Sequence, residues 1–417
     1  MGSVTQRRRA FRGAVLLAAL LLSALPAPLA GAESFAALVK RGYEQLQRRR
    51  FEQAAADFAA ALESEPASQP ARKGLAQASA ELGLDHLRAG RFRQSREWLE
   101  KAVEARPEDA GYHLLLAQAI FNGADTRAAR SEIDRALELA PDNGAARELS
   151  GDIYDREGLL NLAVGEWESA AKAGGSHALV EKIARGRREM AAEEGMERES
   201  SRYFVVLYER EVPRELVQGI FKALDTSFDA LHDRLGEYPR SELTVLLYAR
   251  SAFASVTRAP DWAGGLYDGK IRIPVGGLKT VEEAAGLQSV LNHEMTHAFL
   301  YQMAPAGLPR WFNEGLATAF QGWESAEIRA YFSDHPPEGL TSLANLDQAL
   351  LGRRGNVTAA YAAARLAIGE IEEARGFGAV RRIIAGVGAG GAFAEVFRDE
   401  VRMELSEFEE RWRRNLR

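Results

Sequence analysis

The stretch from Ala117 to Ser150, AQAIFNGADTRAARSEIDRALELAPDNGAARELS, is one period of a repeated pattern. Gly42, Gly83, Ala117 and Gly151 each open that pattern, at separations of 41, 34 and 34 residues. Aligned on them, Phe51, Phe92, Thr126 and Leu160 share a column, and Ala54, Ser95, Ala129 and Ala163 share the next. Phe58, Leu99, Ile133 and Trp167 form a third, and Ala61, Ala102, Ala136 and Ala170 a fourth. Small residues recur where two helices approach closely, and large apolar ones where one helix fills its neighbour's groove. Pro66, Pro107 and Pro141 stop the second helix of three units without removing a needed N–H, and Gly174-Gly175 stands near that place in the fourth. The longer first spacing predicts a seven-residue insertion between the first two units.

A 34-residue helix–turn–helix period resembles the tetratricopeptide repeat, here about four copies over residues 33–175. The resemblance implies an all-α solenoid whose concave groove binds a partner protein or peptide; a spacer or an oligomerisation surface is the plainer alternative. Residues 176–200, with Glu181, Lys182, Arg185, Arg187, Arg188, Glu189, Glu193, Glu194 and Glu197, read as a solvated capping helix, since a terminal repeat needs a polar outer face.

Upstream of the repeats, Arg7, Arg8, Arg9 and Arg12 precede an apolar run from Ala14 to Leu25, followed by Pro26, Pro28 and Ala30-Gly31-Ala32. That order predicts a signal peptide over residues 1–32, a mature terminus at Glu33 and export to a periplasm or the medium. The run is about 12 residues where a spanning helix needs roughly 20, so no stable membrane span is expected. Arg8-Arg9 also resembles a twin-arginine signal, and the choice of export route stays open. Across 417 residues, 53 basic side chains meet 59 acidic ones, so the net charge of −6 gives no overall reason to expect nucleic acid as a partner. With no cysteine, disulfides, thiolate nucleophiles and cysteine-ligated metals are excluded. Any metal must sit on nitrogen and oxygen.

From Tyr203 the texture changes. Tyr203–Tyr208 and Leu243–Tyr248 read as strands and Leu216–Leu235 as an amphipathic helix, which opens an α+β domain over residues 201–417. Gly264-Gly265-Leu266-Tyr267-Asp268-Gly269 leads into Lys270–Val275, where Pro274 predicts an edge strand able to accept a peptide main chain. Thr280–Met303 reads as one helix, with Thr280 as N-cap and Glu282 and Glu283 in the first turn.

That helix carries His293-Glu294-Met295-Thr296-His297. The pattern is expected by accident roughly 0.01 times in such a composition. An i, i+4 spacing projects both imidazoles from one helical face within reach of one ion, and Glu294, about 100° round from His293, can hold a water. A catalytic zinc needs a third protein ligand, and the first candidate downstream is Glu314 in Asn313-Glu314-Gly315-Leu316-Ala317.

His293–His297 together with Asn313–Ala317 resembles the gluzincin metallopeptidases, the thermolysin and aminopeptidase clan, and especially their compact bacterial "peptidase MA-like" members, over residues 203–417. The resemblance implies a thermolysin-like domain with Zn2+ on His293, His297 and Glu314 and hydrolysis of peptide bonds. Sixteen residues separate His297 from Glu314, a little fewer than in the best-known members, so a trimmed interhelical loop is expected. Zinc polarises a scissile carbonyl and acidifies water, and Glu294 would take the water proton and pass it to the leaving amine. Asn313 and Thr318 are candidates to orient the ligands. Clan relatives stabilise the oxyanion with a tyrosine or histidine from a later helix, and Tyr361 is the candidate here, with Tyr331 and His335 as outsiders. The tail from Gly376 shows helical periodicity in Val380, Ile383, Ile384, Phe397, Phe408 and Trp412, and Gly386, Gly388, Gly390 and Gly391 read as a loop.

Two functions remain open: an exported zinc metallopeptidase whose repeats recruit a substrate or partner, and a non-catalytic scaffold with a structural or vestigial metal site. The repeats up to about residue 198 are expected to fold apart from the lobe that follows.

Overall fold

The computed structural model describes residues 34–416 except 175–176, 240–241, 249–252, 254–256, 258–264, 279, 306, 336, 338 and 352–356. The signal-peptide reading of residues 1–32 lies outside the described residues, as do Gly175 and Gly264. The chain divides into two compact units, one ending at Leu75 and the other spanning Ala76–Arg417. The later repeats and the sheet therefore belong to one unit.

The repeat columns read directly as helix geometry. In the first unit, α1 (Phe35–Gln47) and α2 (Phe51–Ser64) form a hairpin in which a Cβ on Gly42 would lie 2.8 Å from the Phe58 ring. The next helix, α3 (Gln69–Arg88), has 20 residues where its counterparts α5 (Ala110–Asn122) and α7 (Gly144–Arg156) have 13. The seven-residue insertion is thus about two extra helical turns. In the second unit α4 (Phe92–Ala105), α6 (Thr126–Leu139) and α8 (Leu160–Lys172) each begin on the first column. The alanine columns are fully buried, and Trp167 packs where Gly151 leaves room. Asp109, Asp125 and Asn143 cap the next helices by accepting backbone N–H groups. From α4 to α9 (His177–Glu193) each helix packs on its neighbour, the one-dimensional packing of a solenoid.

The capping-helix expectation needs correction at its end. Helix α9 stops at Glu193, and β1 (Glu197–Ser200) pairs antiparallel with β2 (Phe204–Tyr208). Glu197-Arg198-Glu199-Ser200 has no apolar alternation to betray a strand; it is one because β2 offers an edge. Nor is α9 simply solvated, since Glu189 is 1% exposed.

After β2, α10 (Arg214–Leu235) crosses over to β3 (Leu243–Tyr248). The hairpin β4 (Leu266–Tyr267) and β5 (Ile271–Pro274) completes a sheet of order β1-β2-β3-β5-β4, with β2, β3 and β5 parallel and both outer strands antiparallel. Pro274 does not make β5 an edge strand. Val275 N–H donates to the Tyr248 carbonyl, so the neighbouring Pro274 nitrogen faces the other way, past the end of the two-residue β4. The edge is β4.

The expected single helix Thr280–Met303 is two, α11 (Val281–Ala285) and α12 (Gln288–Met303). Thr280 makes a capping box with Glu283, and Gly286 and Leu287 then donate three residues back, a tight turn that re-aims the chain. One face of the sheet (Val206, Val245, Leu247, Ile273) shares a core with Ile220, Leu224 and Phe228 of α10 and Leu291, Met295 and Phe299 of α12. The other face (Leu246, Tyr248) is covered by Ala192 near the end of α9 and by Met196 just beyond it.

Helices α13 (Arg310–Phe320), α14 (Ser325–Asp334), α15 (Leu343–Ala349) and α16 (Val357–Arg375) follow, then α17 (Phe377–Gly388), α18 (Phe393–Val401) and α19 (Leu405–Asn415). The tail is the helical packing its periodicity predicts, with Val380, Phe397, Phe408 and Trp412 in the core. Gly386 and Gly388 are helical rather than loop residues.

Close packing makes one repeat glycine irreplaceable and leaves another free. Gly151→Val should lower stability by about 1–3 kcal/mol, because its side chain would collide with the Trp167 indole. Gly165, inside α8 with nothing within 4 Å of its Cβ direction, should gain about 0.5–1 kcal/mol as alanine. Urea unfolding of the two variants measures both.

Candidate metal centre

The His293 and His297 rings leave α12 on one face, with centroids 4.8 Å apart. Helix α13 brings Glu314 against them, its Oε2 lying 3.6 Å from His293 Nε2 and 3.4 Å from His297 Nε2. One ligand atom from each of the three residues lies within 4.8 Å of the others, the one such group among the described residues. Glu314 Oε2 is buried without a hydrogen-bond partner among the described residues. Three donors of the nitrogen and oxygen type, one an orphaned carboxylate oxygen, fit a divalent cation such as zinc.

The far side of each imidazole is held. His293 Nδ1 pairs with Gln321 Oε1 at 3.1 Å and His297 Nδ1 with Asn313 Oδ1 at 2.7 Å. An amide oxygen accepts, so each Nδ1 carries its proton and each Nε2 is left to face Glu314. Asn313 therefore does what its position suggests. Thr318 does not: its hydroxyl donates to the Glu314 carbonyl at 2.7 Å, within its own helix. The two helices are braced by Asn292, which accepts from Ser227 of α10 at 2.6 Å and donates to the Phe320 carbonyl at 3.0 Å. The Asp347 carboxylate accepts the Trp311 N–H at 2.6 Å and fixes the start of α13.

These groups open into a cavity of about 530 Å³. Glu294 is buried on its wall and accepts the backbone N–H of Tyr267 on β4. Gly265 lies so close that a Cβ there would sit 2.8 Å from Glu294 Cγ. Tyr361, on α16, places its ring 6.0 Å from that of His293 and also lines the cavity. Tyr331 and His335 stack on one another at the end of α14, and neither is among the residues lining this cavity. Residue-by-residue reading missed Gln321, Arg310 and Tyr301, and named Tyr267 only beside the edge strand that accepts a peptide. Tyr301 alone had a signal, since it continues the His293, His297 spacing by one more turn.

The Tetratricopeptide repeat family matches residues 39–84, 80–123 and 121–178, so the N-terminal helices are tetratricopeptide repeats. Among solved structures, that of YrrB, described as a TPR protein with an unusual peptide-binding site, is 19% identical and covers 39% of this chain and 86% of its own, at a TM-score of 0.31. MamA is 18% identical over 38% of this chain and 82% of its own, at a TM-score of 0.32. The first TPR of Spaghetti (RPAP3), bound to an HSP90 peptide, is 17% identical over 28% of this chain and 93% of its own, at a TM-score of 0.27. No curated protein matches the chain.

The site is electrostatically coupled. Burial works against a charged His297, but the Glu314 carboxylate outweighs it and pushes the imidazole up to about 9. Burial equally opposes charge on Glu314, and His297 and His293 overcome it, holding the carboxyl far below the usual range. Glu294 is pushed up, chiefly by burial. Because His297 is raised above its ordinary 6.5, its contribution to stability is complete below that pH and lost as pH climbs through about 9. Chelator-treated protein should lose stability across this window in pH-dependent thermal melts. Glu314→Gln should remove most of that slope; equal slopes in both proteins would contradict the pairing.

Proposed function

We propose that the protein is an exported zinc metallopeptidase of the gluzincin, peptidase MA-like kind, hydrolysing peptide bonds, whose tetratricopeptide repeats hold a substrate or partner protein. The observation that carries the reading is the buried Glu314 Oε2 facing two Nε2 atoms whose Nδ1 sides are already tied, with Glu294 on the adjoining wall. Zinc on His293, His297 and Glu314 supplies Lewis acidity toward a scissile carbonyl.

The remaining work falls to the chain. Glu294, held above the ordinary carboxylate range, is suited to take a proton from the attacking water and return it to the leaving amine. Tyr361 keeps its phenolic proton, because burial and the charges of Glu314 and Glu294 all push its pKa up, so it can donate to the oxygen that gains charge. The edge strand β4 borders the cavity and, among the described residues, pairs on one side only, which suits an extended peptide on the other. Export rests on the charged, apolar and small-residue order of residues 1–32; among the described residues no helix is long and apolar enough to cross a membrane. The repeats support a protein or peptide partner on their surface.

Metal analysis beside activity tests the reading. The purified protein should carry about one zinc per chain, and His297→Ala should lose it. Glu294→Gln should keep zinc and fold while turnover of an unfolded casein falls at least about 100-fold. Zinc retained after loss of both histidines would overturn the ligand set. A zinc-loaded protein that cleaves nothing, with or without Glu294, would favour the scaffold.

A further inference from the structure

The β4–β5 hairpin that walls the metal cavity is gripped by the repeats. Lys270, at the turn, is 4% exposed and its Nζ lies 3.1 Å from Asp155 Oδ1 of α7 and 3.1 Å from Glu189 Oε1 of α9. Arg272 of β5 reaches the same Glu189 oxygen at 2.5 Å, Asp268 at 3.1 Å and the Tyr248 hydroxyl at 2.9 Å. Both cations are buried, and leaving either unpaired would be costly, so the contacts act as a fixed joint rather than a loose surface pair.

Next to Asp155, Arg156 makes a second connection. Its guanidinium lies 4.6 Å above the Tyr301 ring on α12 and 5.6 Å from the Phe121 ring on α5. Tyr301 is one helical turn beyond His297 and its ring is 6.2 Å from that of Tyr267. Arg156 also packs against the hairpin turn at Gly269, whose φ is +109° and where a Cβ would come 2.9 Å from the Arg156 guanidinium carbon. Tyr267 in turn donates its backbone N–H to Glu294. A continuous run of contacts therefore leads from a repeat helix to the carboxylate beside the metal ligands, and both tyrosines line the cavity.

We propose that Arg156 is a positioning residue of the metal cavity: the fourth repeat sets the Tyr267 hairpin and Tyr301 against Glu294, so the repeats complete the site rather than only recruiting to it. The catalytic part of this proposal rests on the peptidase reading; the grip on the hairpin does not. Arg156 touches no reacting group, and its effect passes through Tyr301, the Tyr267 side chain and the hairpin that carries the Tyr267 N–H.

The test uses the full-length protein with Arg156→Gln and Arg156→Lys. Arg156→Gln should keep its zinc content and stay within about 3 °C of the parent melting temperature, a shift worth roughly 2 kcal/mol for a unit of this size. Its kcat on a short peptide should fall about 10- to 100-fold at nearly unchanged KM, the scale of a misplaced wall group. Arg156→Lys, which keeps a cation over Tyr301, should recover a large part of that loss, which a merely structural role would not produce. Hydrogen exchange at residues 265–274 should speed up in Arg156→Gln while α10 stays protected. Should Arg156→Gln fail to fold, Arg156→Met, which keeps the apolar stem, takes its place in each measurement. Unchanged kcat with unchanged hairpin exchange overturns the proposal, as does a lysine variant as impaired as the glutamine one. If the parent protein binds no zinc and cuts nothing, the peptidase reading falls, and hairpin exchange alone decides: faster exchange upholds the grip and parental exchange removes it.

Discussion

A carboxylate and two imidazoles enclosed at one helix junction set the terms for the rest of this lobe. An isolated charge moved out of water costs several kcal/mol, and Glu314 recovers that only while both Nε2 atoms face it. Keeping them there requires α12 and α13 to hold a fixed angle and each ring a fixed tautomer. Asn313 and Gln321 settle the tautomers from behind, and Asn292 and Asp347 lock the helices. The break at Gly286 lets α12 run against the sheet with Met295 and Phe299 inward while His293 and His297 point to the cavity. Packing and chemistry share one helix by taking opposite faces of it.

The same logic extends to the sheet and the repeats. Its third parallel strand, β5, begins from a short hairpin with β4, and so small an edge has little hold of its own. Helices α7 and α9 supply the missing hold through Asp155, Glu189 and Arg156. Repeats that only recruited a ligand would have no need of buried ion pairs with the lobe, which are costly to form. Here two buried cations cross the boundary, and the compact unit that contains the site begins at Ala76 rather than at the first strand.

What the sequence revealed follows from how local each signal is. The 34-residue columns, the strands Phe204–Tyr208 and Leu243–Tyr248 and the helix α10 were legible, because each depends on periodicity within a few residues. His293, His297 and Glu294 were legible for the same reason, and Glu314 through its place in a longer pattern. Gln321 was not, since an amide becomes part of a site only when another element delivers it. Strand β1 was misread because four polar residues become a strand only beside β2. Pro274 was misread because a proline tells which side of a strand lacks a donor, and only the register tells which side is unpaired. Glu189 looked like part of a solvated face, and Lys270 and Arg272 gave no hint that they would bury it.

The central claim is that three side chains from two helices form one preorganised metal-binding set. Diffraction from crystals of the full-length protein, collected on both sides of the zinc absorption edge, tests it most directly. The account predicts one anomalous peak per chain, about 2.0–2.2 Å from His293 Nε2, His297 Nε2 and a Glu314 carboxylate oxygen. Zinc held through either Nδ1, or a zinc-saturated crystal with no peak between α12 and α13, would contradict it.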